Sequence, residues 1–203
     1  DLESRFHIEE ILAAVSARLL EPTKIKANIA ASLEDLAKIM DTGRIFLAVF
    51  DSQSNNQVRE YIEWHRSELL PVPEDALHSS MAYLPMLRDR LLEGKTIYID
   101  DTSQFPSNLE IELQFLQERN VQSLVLLPIV IDHKLQAMLG CSNLQASADA
   151  IQGNLHTLEL VASMLKSLLQ REHLIETLEK QVAERTRQLT TFLDMAMLSD
   201  QAQ

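Results

Sequence analysis

The C-terminal quarter of the chain, residues 154–203, contains neither glycine nor proline. All four glycines and all six prolines lie at or before Gly153. Because Gly and Pro are the residues that most often interrupt a helix, their absence predicts one continuous helix from Asn154 onwards. The fold must therefore be a domain that ends in a long helix.

Apolar residues recur along this segment with the spacing of a coiled coil. One set recurs every seven residues, and members of a second set follow three residues after members of the first. The predicted seam consists of Val161, Met164, Leu168, Ile175, Leu178, Val182, Leu189 and Phe192. A stripe with this period stays in phase only if two helices wind around each other, so the spacing predicts a partner helix.

Two arginines interrupt the seam. Arg171 and Arg185 occupy d positions, where a buried cation costs stability unless it reaches solvent or pairs with an acidic residue. One interpretation is that these layers keep the pairing marginal, as suits a rod that shifts between two states. The other is that both side chains splay outward, and the sequence leaves the two open.

Composition argues against several functions. The 203 residues carry a net charge of −12, and an acidic surface repels a phosphate backbone, so we expect no nucleic-acid partner. The sequence has no run of about 18 apolar residues and no signal-peptide pattern, which predicts a cytoplasmic segment without a membrane span. The single cysteine, Cys141, cannot form an internal disulfide, as is usual in a reducing compartment.

The predicted order of elements is helix, helix, strand, strand, helix, strand, helix, strand, strand, helix. Ile45–Phe50 is a continuous apolar run, typical of a strand buried on both faces. Ser123–Ile131 and Leu135–Ser142 are separated only by Asp132–Lys134, the spacing of a tight hairpin. Hairpins make the sheet at least partly antiparallel, so we predict an α+β fold and not a doubly wound α/β fold.

The segment before the long helix has the length of a single compact domain. We place this domain at residues 5–153, with Gln145–Gly153 as a small, polar linker, and the exit helix and coiled coil at residues 154–203. The chain opens on Asp1 with no initiator methionine, so we expect it to be part of a larger protein.

Three stretches together resemble a known family. They are Arg44–Asp51 (RIFLAVFD), Asn120–Ser142 (NVQSLVLLPIVIDHKLQAMLGCS), and the bracketing helices at Arg5–Leu20 and from Asn154. The segment is similar to the GAF domain, a small-molecule and signal-sensing module of cytosolic signalling proteins. The resemblance implies a mostly antiparallel sheet of about five to six strands flanked by helices, followed by a long coiled-coil helix.

A second resemblance lies in the tail. Leu178–Leu189 (LEKQVAERTRQL) is similar to the connectors that join sensor modules to histidine kinase or cyclase output domains in bacteria. This likeness implies a parallel homodimer that signals to an output domain, as in two-component systems, and a segment that is not itself an enzyme. A ligand-free dimerisation module and an enzyme are the alternatives, and the sequence contains no recognisable set of nucleophile, base and metal ligands for the latter.

A GAF pocket is expected between one face of the sheet and the segments Arg66–Leu92 and Thr102–Asn120. Aromatic side chains with polar tips suit a pocket that buries a flat small molecule. The candidate ligand-binding residues are Trp64, Met81, Tyr83, Met86, Tyr98, Phe115, Ser123 and Cys141. For each of them the alternative is ordinary core packing.

The resemblance also bears on cofactors. Phytochrome-like GAF domains attach a linear tetrapyrrole to a cysteine in the helix before the last hairpin, and Asn108–Asn120 contains neither Cys nor His. We therefore expect no covalent bilin, an unknown cofactor, and a buried, inert thiol at Cys141. His65 and His78 flank a loop with acidic residues, but no metal-ligand spacing is present, so we expect no metal site.

Overall fold

The computed structural model describes residues 2–51, 57–73, 84–104, 109–145 and 148–200. Its helices are α1 (Leu2–Leu20), α2 (Ile25–Met40), α3 (Pro85–Leu92), α4 (Glu110–Gln117) and α5 (Ala148–Asp200). Its strands are β1 (Thr42–Phe50), β2 (Val58–His65), β3 (Ile97–Ile99), β4 (Leu124–Ile131) and β5 (Lys134–Leu144). A short 3₁₀ helix, Thr102–Gln104, follows β3.

The five strands form one sheet in the order β2-β1-β5-β4-β3, and every neighbouring pair is antiparallel. The last strand, β5, pairs with β4 on one side and with β1 on the other. The predicted α+β fold with a mostly antiparallel sheet is confirmed. The sheet has five strands, where about five to six were predicted.

The hairpin between β4 and β5 turns over two residues. Ile131 pairs with Lys134, and the residues between them, Asp132 and His133, have φ angles of 49° and 60°. Positive φ at both central positions is the geometry of a type I′ turn, whose twist matches that of the flanking strands. The predicted tight hairpin is present.

The part of β1 from Ile45 to Phe50 is apolar because both of its faces are covered. Phe46, Ala48 and Phe50 belong to a core cluster with residues of α3 and α4, while the alternating Ile45 and Leu47 point to the opposite face and are also buried. Helix α2 packs on β1 and β2. A strand buried on both faces needs no polar alternation, and this explains the pattern of the sequence.

The long helix begins earlier than predicted. It starts at Ala148, so Gly153 lies inside it and the expected linker Gln145–Gly153 is wrong from Ala148 onwards. A single glycine costs a helix only about 1 kcal/mol, which a helix of this length tolerates. The side chain of Asn154 then donates a hydrogen bond to the carbonyl of Ile39 near the end of α2, at 3.1 Å.

The chain divides into two compact units, Asp1–Lys166 and Ser167–Gln203. The predicted domain boundary between residues 153 and 154 stays a prediction. None of the helices in the described part of the chain is long and apolar enough to cross a membrane.

Candidate functional site

A cavity of about 620 Å³ lies against one face of the sheet. Its floor is built from Phe46, Ala48 and Met138, and α4 contributes Phe115 and Leu116. Protein interiors are close-packed and contain few voids larger than a water molecule. A cavity of this volume is unusual for a packed core and falls within the size range of small-molecule sites.

The depth of the cavity depends on a glycine, Gly140, which lies beneath the ring of Phe46. Phe46 pairs across the sheet with Gly140, and a Cβ atom at Gly140 would lie 2.2 Å from Cζ of Phe46. The ring of Phe46 stacks on Tyr61, with centroids 5.4 Å apart. The missing side chain thus lets the ring lie low on the sheet.

A partly buried ion pair lies beside this aromatic pair. Nη1 of Arg44 is 2.6 Å from Oε2 of Glu63, and the hydroxyl of Tyr61 donates to the same oxygen at 3.3 Å. Burial, reinforced by the charge of Glu63, raises the pKa of Tyr61 above its usual range. The hydroxyl therefore stays protonated and acts as a donor.

The same ion pair fastens one wall of the cavity, the segment Arg66–Pro73, which we call the strap. Nη2 of Arg44 donates to the carbonyl of Leu70 at 2.6 Å, and the N–H of Val72 donates to Oε1 of Glu63 at 3.1 Å. The strap begins beside β1, where Nε of Arg66 donates a hydrogen bond to the carbonyl of Thr42 at 3.2 Å. Its conformation is thus set by residues of β1 and β2.

The opposite wall is α4 and the turn after it. Asn143, at the end of β5, accepts a hydrogen bond from the N–H of Gln122 at 2.8 Å and donates one to the carbonyl of Asn120 at 3.0 Å. The guanidinium of Arg119 lies 3.7 Å from the centroid of the Phe115 ring. The side chain of Asn143 therefore holds the turn that presents Arg119.

Glu112 of α4 is a buried acidic residue that the sequence analysis missed. Its side chain is 2% exposed, and its Oε1 accepts hydrogen bonds from the N–H groups of Met86 at 2.7 Å and Leu87 at 3.3 Å. These are first-turn donors of α3, which has no side-chain cap of its own. The available signal was an acidic residue four positions before the buried Leu116, on the apolar face of the helix.

Two of the predicted ligand-binding residues lie at or near the cavity. Phe115 lines it, and Met86 packs against the core cluster beside it. Ser123 is buried, and its Oγ accepts a hydrogen bond from the N–H of Leu144 at 2.8 Å. Met81 and Tyr83 lie outside the described residues.

The other three candidates lie in one row that crosses the sheet. Trp64 and Cys141 both pair with Ile45, Cys141 also pairs with Val125, and Val125 pairs with Tyr98. Paired residues share a face, and this row is one residue out of step with Phe46 and Gly140, so it faces away from the cavity.

The thiol of Cys141 is fully buried within that row. Burial raises its pKa above the usual range, because the apolar surroundings disfavour the thiolate. Since the thiolate is the reactive form, the thiol is unreactive in the folded chain.

Within the described residues no cluster of His, Cys, Asp and Glu could hold a metal ion. His65 lies beside the strap, where its Nδ1 is 3.0 Å from the carbonyl of Arg66. His78 is outside the described part of the chain.

The predicted seam residues differ in exposure along α5. Val161 and Leu168 are buried, and Met164 is half-buried. The remaining five are exposed by 49% to 70%, and they are Ile175, Leu178, Val182, Leu189 and Phe192.

A family model described as GAF domain matches residues 25–168. The chain belongs to the GAF domain family. Its match covers the sheet, the cavity and the start of the exit helix, and GAF domains are sensory, non-catalytic modules. No curated protein matches the sequence.

Solved structures with the same fold include GAF domains from a cyanobacterial phytochrome and a cyanobacteriochrome. The phycoerythrobilin-bound GAF domain from a cyanobacterial phytochrome matches with a TM-score of 0.62 at 19% identity, over 82% of this chain and 96% of that chain. The phycocyanobilin-bound form matches with a TM-score of 0.60 at 20% identity, over the same shares. The cyanobacteriochrome TePixJ GAF domain matches with a TM-score of 0.55 at 19% identity, over 77% and 95%.

These structures correct one prediction. The expectation that disfavoured a covalent bilin is wrong, because two of the similar structures are bilin-bound GAF domains. That expectation rested on the residue types of one segment, 108–120, whereas the fold around the cavity is shared with proteins that hold a bilin. At these identities the likeness shows the fold alone.

Proposed function

We propose that this GAF domain is a ligand sensor and that its cavity binds a flat, largely apolar small molecule. The observation that supports the proposal is the cavity itself. A volume of about 620 Å³ falls within the range of about 300–1,000 Å³ that is usual for small-molecule sites. Its apolar floor and polar rim are the usual composition of such sites.

A bilin is the first ligand to test. The phycoerythrobilin- and phycocyanobilin-bound GAF domains have the same fold, and the aromatic rings of Phe46, Tyr61 and Phe115 offer stacking surfaces for a conjugated ligand.

We further propose that the ligand acts by population shift. A ligand that binds one arrangement of the strap better than another biases that arrangement by the difference in affinity. The strap is fastened to β1 and β2, α2 packs on both strands, and Asn154 joins α2 to α5. A change at the strap therefore has a contiguous route to the start of the long helix.

The proposed assembly is a cytoplasmic, parallel homodimer through the seam that signals to a histidine kinase or nucleotide cyclase output domain. Two observations support it: the apolar residues of Ile175–Phe192 are exposed at heptad spacing, and Leu178–Leu189 resembles the connectors of such proteins.

The test is native mass spectrometry and visible absorbance of the purified protein, before and after incubation with biliverdin. We expect a mass increase, a visible band and a higher melting temperature, since a ligand present at about 100 times its Kd stabilises the folded state by about 2.7 kcal/mol.

The control variant is Ala48→Phe, whose larger side chain fills the floor and should remove all three effects. If wild type and variant respond alike, biliverdin binds outside the cavity. If neither biliverdin nor a co-purifying molecule adds mass or raises the melting temperature, the ligand-free dimerisation module is the correct alternative.

A further inference from the structure

Two cations are among the described residues that line the cavity, Arg44 and Arg119. The guanidinium of Arg44 is committed to the protein, because Nη1 pairs with Glu63 at 2.6 Å and Nη2 donates to the carbonyl of Leu70 at 2.6 Å. Releasing it for a ligand would leave the partly buried carboxylate of Glu63 without its cationic partner, which costs stability. Arg44 therefore holds the strap and is not available to a ligand.

Arg119 is held in a different way. Its guanidinium lies over the Phe115 ring at 3.7 Å, and Nη1 donates to the Phe115 carbonyl at 3.0 Å. Its ion pair with Glu118 is weak, because the atoms are 3.7 Å apart and the Glu118 side chain is 57% exposed. Among the described residues, Nε and Nη2 of Arg119 have no hydrogen-bond acceptor. Arg119 is thus oriented by one residue and retains two donor groups.

The fixed orientation of Arg119 and its two remaining donor groups suit the recognition of an anion. A guanidinium has planar N–H donors that fit a carboxylate, sulfonate or phosphate in a two-point contact, and a fixed orientation reduces the entropy lost on binding. Among the described residues that line the cavity, the acidic ones are Glu68 and Glu118, and both are exposed. The floor below Arg119 is apolar.

We propose that the ligand is an amphipathic anion, with an apolar, flat body on the floor formed by Phe46 and Met138 and an acidic group paired with Arg119. The inference rests on the proposed function, since it assigns the ligand class of the same cavity. The protein carries a net charge of −12, so recognition of an anion depends on this local cation and not on the field of the whole molecule.

A matched pair of fluorescent probes tests the charge requirement. Anilinonaphthalene sulfonate is a flat apolar anion, and phenylnaphthylamine has the same rings without the sulfonate. We expect the sulfonate probe to bind wild type more tightly, and Arg119→Gln to raise its Kd by about tenfold or more while the Kd of the neutral probe stays within about twofold. Arg119→Lys should give an intermediate Kd, because the charge remains and the planar fork is lost.

The matched control is Arg90→Gln, the same change at an exposed position of α3, which should leave both Kd values unchanged. Fluorescence that persists in Ala48→Phe arises outside the cavity, for example from the exposed seam, and is subtracted. If both probes bind in the cavity with equal affinity and Arg119→Gln affects neither, the charge assignment is wrong and the proposed function stands. If neither probe depends on Ala48→Phe, the proposed function fails as well.

Discussion

Gly140 is the residue that sets the depth of the cavity floor. We expect Gly140→Ala to destabilise the fold by about 1–3 kcal/mol, because the new Cβ would lie 2.2 Å from Phe46 Cζ and the ring has to move. Urea unfolding followed by circular dichroism measures the change. The control is the double variant Gly140→Ala/Phe46→Leu, which removes the clash. Its loss of stability should be smaller than the sum of the losses in the two single variants. If the two losses simply add, the position of the ring does not depend on this glycine.

The sequence predicted the types of residue at the site better than their positions. Phe115 was named and lines the cavity, whereas Trp64, Tyr98 and Cys141 lie in the row on the opposite face. Alternation along a strand says which residues share a face. It does not say which face carries the helices that leave a cavity, because that depends on segments far away in the chain.

Glu112 joins α3 to α4 as a cap supplied from another helix. We expect Glu112→Ala to destabilise the fold by about 1–3 kcal/mol, since the buried N–H of Leu87 and the partly buried N–H of Met86 lose their acceptor. Glu112→Gln should cost less because it keeps an acceptor oxygen. Urea unfolding gives the free energies. Hydrogen exchange of the Met86 and Leu87 amides gives the local effect.

The matched control for this cap is Glu110→Ala, which removes an exposed acidic residue from the same helix. It should cost less than about 1 kcal/mol, through the helix dipole alone. Equal losses at Glu110 and Glu112, with unchanged exchange at Met86 and Leu87, would contradict the role of Glu112.

The elements whose sequence signal lies within a few residues were predicted correctly. The hairpin at Asp132 and His133 and the strand at Ile45–Phe50 follow from turn spacing and from a continuous apolar run, both of which lie within a few residues. The start of α5 was placed too late, because Gly153 was given the weight of a helix stop when it lies inside a long helix.

At the scale of the whole molecule, the proposed dimer makes a specific prediction about the seam. We expect Arg185→Leu, at a d position, to raise the stability of the dimer by about 1–4 kcal/mol, because an apolar layer replaces a cation. The melting temperature should rise with the change and should depend on protein concentration. Analytical ultracentrifugation gives the oligomeric state.

The control is Arg187→Leu, the same change two positions later at an f position. Its side chain is 81% exposed, so the variant should gain no stability. A monomer at micromolar concentration, or equal shifts in the two variants, would remove the proposed seam.

The long helix, the antiparallel hairpins and the GAF resemblance were all accessible from the chain alone, because helix period, turn chemistry and apolar runs depend on residues close together in sequence. The cavity depended on the tertiary structure. In its floor, Phe46 pairs with Gly140 across two strands. The strap is hydrogen-bonded to the ion pair of Arg44 and Glu63, and Glu112 of α4 caps the start of α3. Each of these contacts joins residues distant in sequence, and their energies exist only once folding has excluded water and brought the partners together.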